Sequence, residues 1–216
     1  MALPLKHSGT SAVSTFPGAD LISRPFKEWQ GTGWWEHAKF LASPNFNHRP
    51  EGTPIDLLVL HSISLPPGKY GNGYVQQLFT NELDTLAHPY FGALCNLKVS
   101  SHFFITRMGV IWQFVGCSFR AWHAGDSAYR GRSNCNDFSI GIELEGLEGD
   151  CFEQVQYTAL AFLIKPLLKA YPIAEIAGHE HIAPLRKKDP GCGFDWKLLK
   201  TLVDVAQIRF PDQKSF

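Results

Sequence analysis

A chain of 216 residues with 20 Lys plus Arg against 20 Asp plus Glu has no formal net charge. That balance excludes the basic field with which proteins attract nucleic acid or anionic membranes, so any charged ligand must be recognised locally. The length suits one well-buried core and gives no reason to demand a second. No run approaches the roughly 20 apolar residues of a membrane span. The opening stretch MALPLKHSGTSAVSTFPGAD also lacks the roughly 7–15 apolar residues of a secretory signal, so a soluble, cytoplasmic protein is expected. Cys95, Cys117, Cys135, Cys151 and Cys192 contain no C-x-x-C pair; most of them are expected to be buried, reduced packing residues.

In chain order, residues 1–32 are rich in Ser, Gly and Pro without sustained periodicity and are expected to form an irregular arm. Residues 33–210 are expected to be the one folded domain. IDLLVLH (55–61) reads as a buried strand ending in His61. HFFITRMGVIWQFVG (102–116) reads as a hairpin turning at Met108-Gly109. FSIGIELEG (138–146) alternates, with Phe138, Ile140, Ile142 and Leu144 on one face and Ser139, Gly141, Glu143 and Glu145 on an open one. Asp150 with Glu153 resembles a capping box that starts a helix running to about Tyr171, kinked at Pro166. IAEIAG is a short strand leading to His179, and DWKLLKTLVDVA (195–206) is a helix begun by Asp195. The sum is a single α/β domain, a mixed central β-sheet flanked by helices.

His61 at the end of one strand and His179 after another share a sheet edge if those strands are neighbours. A catalytic zinc site needs three protein ligands and an open position. Asp189, before Pro190-Gly191, is the natural oxygen ligand if its loop folds back. Taken alone, each histidine fits an ordinary structural or surface role better, since nothing in its own neighbours marks it as a ligand.

Six blocks in order add to this: HSISLPPGKYG (61–71), AHPYF (87–91), VSSHF (99–103), RAWHAG (120–125), CNDFSIGIELEG (135–146) and GHEHIAPLRKKDPG (178–191). From about residue 33 to 200 the chain resembles AmpD-type N-acetylmuramoyl-L-alanine amidases, a zinc-dependent family similar to phage lysozyme amidases and peptidoglycan recognition proteins. The resemblance implies an amidase/peptidoglycan-recognition-protein-like fold, a Zn2+ cofactor held by His61, His179 and Asp189, and Glu143 and Lys187 as catalytic groups beside it. It implies a muropeptide substrate cut between N-acetylmuramic acid, in its 1,6-anhydro form, and L-alanine, as in peptidoglycan recycling, with no obligate protein partner. Tyr90, Lys98 and Trp122 match positions that contact substrate. His102 is expected to be structural and His123 to stand at the cleft wall. His181 is expected to point away from His179 on an extended backbone, and Cys192 is a rival to Asp189 as third ligand. Asn134 and Ser62 stand where the family often has arginine and asparagine.

The chemistry agrees with those roles. Zinc acidifies water and polarises an amide carbonyl, leaving the protein to supply a base, Glu143, and a donor for the developing oxyanion, Lys187. Two other readings stay open. A module that binds muropeptide without cutting it needs neither catalytic group, and a structural zinc domain needs a closed four-ligand site without a cleft.

Overall fold

The computed structural model describes residues 32–211, so the expected arm lies outside the described residues except for Thr32. In chain order the strands are β1 (Lys39–Phe40), β2 (Phe46–His48), β3 (Leu57–Ile63), β4 (Phe103–Ile105), β5 (Ile111–Gln113), β6 (Phe119–Ala121), β7 (Ala128–Tyr129), β8 (Arg132–Ser133), β9 (Ser139–Glu145) and β10 (Glu175–Gly178). The helices are α1 (Tyr74–Thr80), α2 (Gln154–Ala170), the short turn α3 (His179–Ile182) and α4 (Trp196–Val203). A six-stranded sheet runs in the order β1-β5-β4-β9-β3-β10. Strands β4, β9, β3 and β10 are parallel, while β5 returns antiparallel to β4.

Side-chain alternation divides the two faces. Leu58 and Leu60 of β3, Ile140, Ile142 and Leu144 of β9, and Ile176 of β10 pack with Leu160, Leu163, Ile164 and Leu167 of α2 and Leu199 and Val203 of α4. The opposite face meets α1 and the long loops, through Leu78, Phe79, Phe91, Phe104 and Phe114 and through Leu57, Val59, Phe138 and Ile182. Helices α2 and α4 therefore seal one face, while α1 and the long loops build the other, where a site can form.

Several expectations need correction. Strand β3 starts at Leu57 and runs two residues past His61; its continued pairing with β9 as far as Ile63 explains the extension. The polar face of β9 is roofed by the loops rather than open, and Glu143 and Glu145 are buried, as a central parallel strand covered on both faces requires. Phe138 does not join the helix-facing row. It ends a 3₁₀ turn (Cys135–Asp137) before the strand begins, so the alternation does not reach it. The cap of α2 lies three residues beyond Asp150: the Gln156 side chain accepts from the Glu153 N–H at 3.0 Å, and Asp150 instead accepts from the Tyr70 hydroxyl.

Helix α2 continues through Pro166 without a break. An interior proline costs about 3 kcal/mol, whereas burying Leu163, Ile164 and Leu167, all fully buried, contributes roughly 1.5–3 kcal/mol each. Packing wins. Helix α4 begins as expected, with Asp195 accepting from the Leu198 N–H at 2.8 Å, but ends at Val203 because Asp204 turns into the left-handed region at φ 49°. The hairpin turns where expected, with Gly109 at φ 75°. Only Cys117 and Cys135 are buried; Cys95, Cys151 and Cys192 are exposed, each in a connecting segment outside the core. Among the described residues, no helix is long and apolar enough to cross a membrane.

Candidate active site

Strands β3 and β9 pair in a register that sets His61 opposite Glu143, so both side chains leave the same face on adjacent strands about 4.8 Å apart. Strand β10 pairs with β3 as far as Gly178 opposite Leu60. The next residue, His179, opens α3 beside His61. The loop after α3 turns back, and the Glu180 N–H donates to the Asp189 carbonyl at 2.9 Å. A Cβ on Gly178 would lie 2.7 Å from Pro190 Cδ, so glycine is what lets the returning loop close on the strand end.

Three elements thus bring three donors together. His61 Nδ1 lies 2.9 Å from His179 Nδ1, and Asp189 Oδ2 lies 3.2 Å from each. Among the described residues this is the one group of three or more His, Cys, Asp or Glu side chains fit to hold a metal ion. The donor set suits zinc. Ligand bonds of about 2.0–2.1 Å at tetrahedral angles separate neighbouring donor atoms by about 3.3 Å, close to the spacing found. Two imidazole lone pairs and a carboxylate oxygen at such distances repel one another unless a proton or a cation lies among them.

All three side chains are enclosed, with His61 1 %, His179 3 % and Asp189 9 % exposed. Burial, and next the neighbouring His179, push the His61 imidazole down to about 4, with Asp189 opposing. Burial acting alone would raise the Asp189 carboxyl; its contacts with His179 and His61 outweigh that and hold it well below the carboxylate range. Burial thus keeps the His61 imidazole neutral beside a charged Asp189 carboxylate, the ionisation states a metal requires of such ligands.

Glu143 is buried beside this set, and its Oε2 has no hydrogen-bond partner. Burial, and then the Asp189 charge, raise its pKa well above the usual carboxylate value, while the Lys187 ammonium acts the other way. A buried acid without a partner is costly, and a carboxyl so perturbed beside a cleft is a candidate for proton transfer. A cleft of 770 Å³ opens over the donors, and Tyr90, Lys98, Trp122, Glu143 and Lys187 all line it. Tyr90, on the 3₁₀ helix Pro89–Leu94, and Lys98, in the loop before β4, are exposed on its walls. The half-buried Trp122 is held by its indole N–H, which donates to Asn47 Oδ1 at 2.7 Å.

The rivals lie elsewhere. His181 sits on a helical turn rather than an extended backbone, and its Nδ1 accepts from the Gly178 N–H at 2.9 Å. Cys192 is exposed and outside the cluster. Arg186 donates to the carbonyls of Ala124 and Asp126, clamping the Asp189 loop to the segment after Trp122.

Sequence reasoning missed several supports. His123 does more than line a wall, since its Nδ1 lies 3.0 Å from His61 Nε2. Its ring rests on Gly141, where a Cβ would fall 2.4 Å from His123 Cγ. A glycine amid branched residues in a strand was the available signal of such an approach. Glu145 accepts from the N–H groups of Gly71 at 2.6 Å and Arg107 at 3.0 Å, pinning the loop after β3 that walls the cleft. Arg49 donates to the carbonyls of Cys117, Asn136, Asp137 and Ser139 beneath the site, and burial pushes its guanidinium down to about 10. His102 is structural, as expected. Its Nδ1 accepts from the Gly141 N–H and its Nε2 lies 3.0 Å from the Phe119 carbonyl, while burial and then Arg49 hold it down to about 3.

A profile of the family described as N-acetylmuramoyl-L-alanine amidase matches residues 51–192. The chain is 47% identical over 173 residues to the 1,6-anhydro-N-acetylmuramyl-L-alanine amidase AmpD of Citrobacter freundii, covering 79% of this chain and 92% of that one. A crystal structure of a selenomethionine AmpD derivative superimposes with a TM-score of 0.78 at 48% identity, covering 80% of this chain and 97% of that one. The amidase AmiD from E. coli, solved with the substrate anhydro-N-acetylmuramic acid-L-Ala-D-gamma-Glu-L-Lys, matches with a TM-score of 0.51 at 30% identity, covering 72% of this chain and 60% of that one.

Proposed function

The chain belongs to the N-acetylmuramoyl-L-alanine amidase family, and from that premise we propose that it hydrolyses the amide between the lactyl group of 1,6-anhydro-N-acetylmuramic acid and L-alanine of a stem peptide, in peptidoglycan recycling in the cytoplasm. In this reading residues 33–210 are the catalytic domain, and His61, His179 and Asp189 hold a zinc ion. The observation that carries it is the converging His-His-Asp donor set beside the unpartnered carboxylate oxygen of Glu143, at the floor of an open cleft.

Bound zinc supplies a Lewis acid for the scissile carbonyl and acidifies water. Glu143 Oε2 takes the proton of the attacking water and returns it to the alanine nitrogen as the C–N bond breaks, giving a lactyl carboxylic acid and a free peptide amine. The Lys187 ammonium stabilises the oxyanion that develops on the carbonyl. Tyr90 and Trp122 offer aromatic surface to sugar or peptide, and Lys98 offers a cation to the carboxylates of the stem. Three donors rather than four, together with the cleft, speak against a purely structural metal site.

The test is mass spectrometry of digests of soluble anhydro-muropeptide and of intact sacculi. The expected result is free stem peptide plus anhydro-N-acetylmuramic acid, formed faster from the soluble substrate. Equal turnover on sacculi would contradict the preference for a recycling substrate, and tight binding of muropeptide without any cleavage would instead favour a recognition module.

A further inference from the structure

The structure assigns His123 the role of positioning residue for the metal centre, accepting the Nε2–H of His61 and so committing the His61 Nδ1 lone pair to the metal. The inference rests on the zinc reading above and adds a residue that does not touch the ion.

The proton order follows from the far end of a chain of contacts. The Ser139 hydroxyl donates to the Cys135 carbonyl, which can only accept. Its single proton is thereby used, so towards His123 Nε2, 3.2 Å away, Ser139 must accept. His123 therefore carries its proton on Nε2. Its Nδ1 then offers a lone pair to His61, because a proton on that nitrogen as well would force the His61 proton onto Nδ1, the nitrogen that faces the other two donors. The group facing that bare nitrogen at 3.0 Å is His61 Nε2, which must donate. What remains on His61 is the Nδ1 lone pair, directed at His179 and Asp189. In the other tautomer His61 would present an N–H to the metal and cease to be a ligand.

The same segment orients the second imidazole. His179 Nε2 lies 3.2 Å from the Ala124 carbonyl, again an acceptor only, so its Nδ1 is also left bare. The N–H groups of His123 and Ala124 both donate to Asn136 Oδ1, at 3.1 and 2.7 Å. One asparagine thus pins the backbone from which both histidines are set. Gly141 supplies the space in which the His123 ring lies flat on β9.

The experiment compares wild type, His123→Phe, His123→Gln and Ser139→Ala, each checked for folding by circular dichroism. Zinc affinity is measured by competition with a chromogenic chelator, and the His61 Nε2–H proton is followed by NMR in the zinc-loaded protein. His123→Phe keeps a ring without the acceptor and is expected to bind zinc roughly 10–100-fold more weakly, the usual range for partners of metal ligands. It should also lose the slowly exchanging His61 signal. His123→Gln, whose side-chain oxygen can accept, should recover most of the affinity, and Ser139→Ala should weaken binding in the same direction by less. Wild-type affinity in folded His123→Phe, or in folded Ser139→Ala should His123→Phe fail to fold, would overturn the role of His123 while leaving the zinc reading intact. Failure of the wild-type chain to bind zinc would instead overturn the proposed function and this role with it.

Discussion

Asp189→Ala is expected to abolish zinc binding and amide cleavage together, whereas Lys187→Ala should leave zinc bound and slow only the reaction. Asp189 Oδ2 is one of the three converging donors, 3.2 Å from both imidazole nitrogens. Removing it takes away the donor set's only carboxylate and leaves two imidazole nitrogens, fewer than the three protein ligands of a catalytic zinc site. The loss should exceed the 10–100-fold typical of groups that merely support a ligand. Lys187 lines the cleft without belonging to the donor set. It meets charge that develops only in the transition state, so kcat should fall by roughly 10²–10³ with zinc content unchanged. Paired measurement of zinc per chain and kcat in the two variants decides the matter. Zinc retained by Asp189→Ala, or full activity in Lys187→Ala, would remove the role assigned to that residue.

The second large effect concerns Glu143. Glu143→Gln preserves shape and removes the ability to take up a proton. It also removes a buried carboxyl without a partner for Oε2, so the folded protein should be no less stable than wild type. Activity should move in the opposite direction, with kcat lower by roughly 10²–10⁴, the usual contribution of a general acid–base. Zinc content should be unaltered, because Glu143 stands opposite His61 across the strand pair rather than among the donors. Denaturant unfolding, zinc analysis and single-turnover kinetics on the same preparation test the three parts. A variant with wild-type kcat would assign the proton transfers to another group.

This division between stability and function shows how far the sequence could be read. Ile140, Ile142 and Leu144 announced their strand through local alternation, the run around Leu58 and Leu60 announced its own as an unbroken apolar stretch, and Asp195 announced α4 by its capping chemistry, because those signals act over a few residues. The lateral pairing of His61 with Glu143 was beyond reach of local pattern. It depends on a parallel register between strands some eighty positions apart, which the intervening loops do not encode. Burial of Glu143 and Glu145 was misjudged for the same reason, since alternation tells which residues share a face and not what covers it. Proline at 166 suggested a kink; the helix runs on through it to Ala170, with its buried face packed on the sheet. The Asp189 loop was legible only as a possibility until the Glu180–Asp189 backbone bond closed it. His123 stood in a recognisable motif, yet its contact with His61 was hinted at only by Gly141, two residues before Glu143 on the same strand face.

The central claim is that one zinc ion, held by His61, His179 and Asp189, is required for amide hydrolysis. Its most direct test is metal stoichiometry by mass spectrometry on purified chain, alongside cleavage of soluble anhydro-muropeptide, before chelation, after chelation and after graded zinc add-back. The account predicts one zinc per chain, loss of cleavage on chelation, and activity returning in proportion to zinc up to one equivalent. Near-zero zinc in protein whose turnover survives chelation would contradict it.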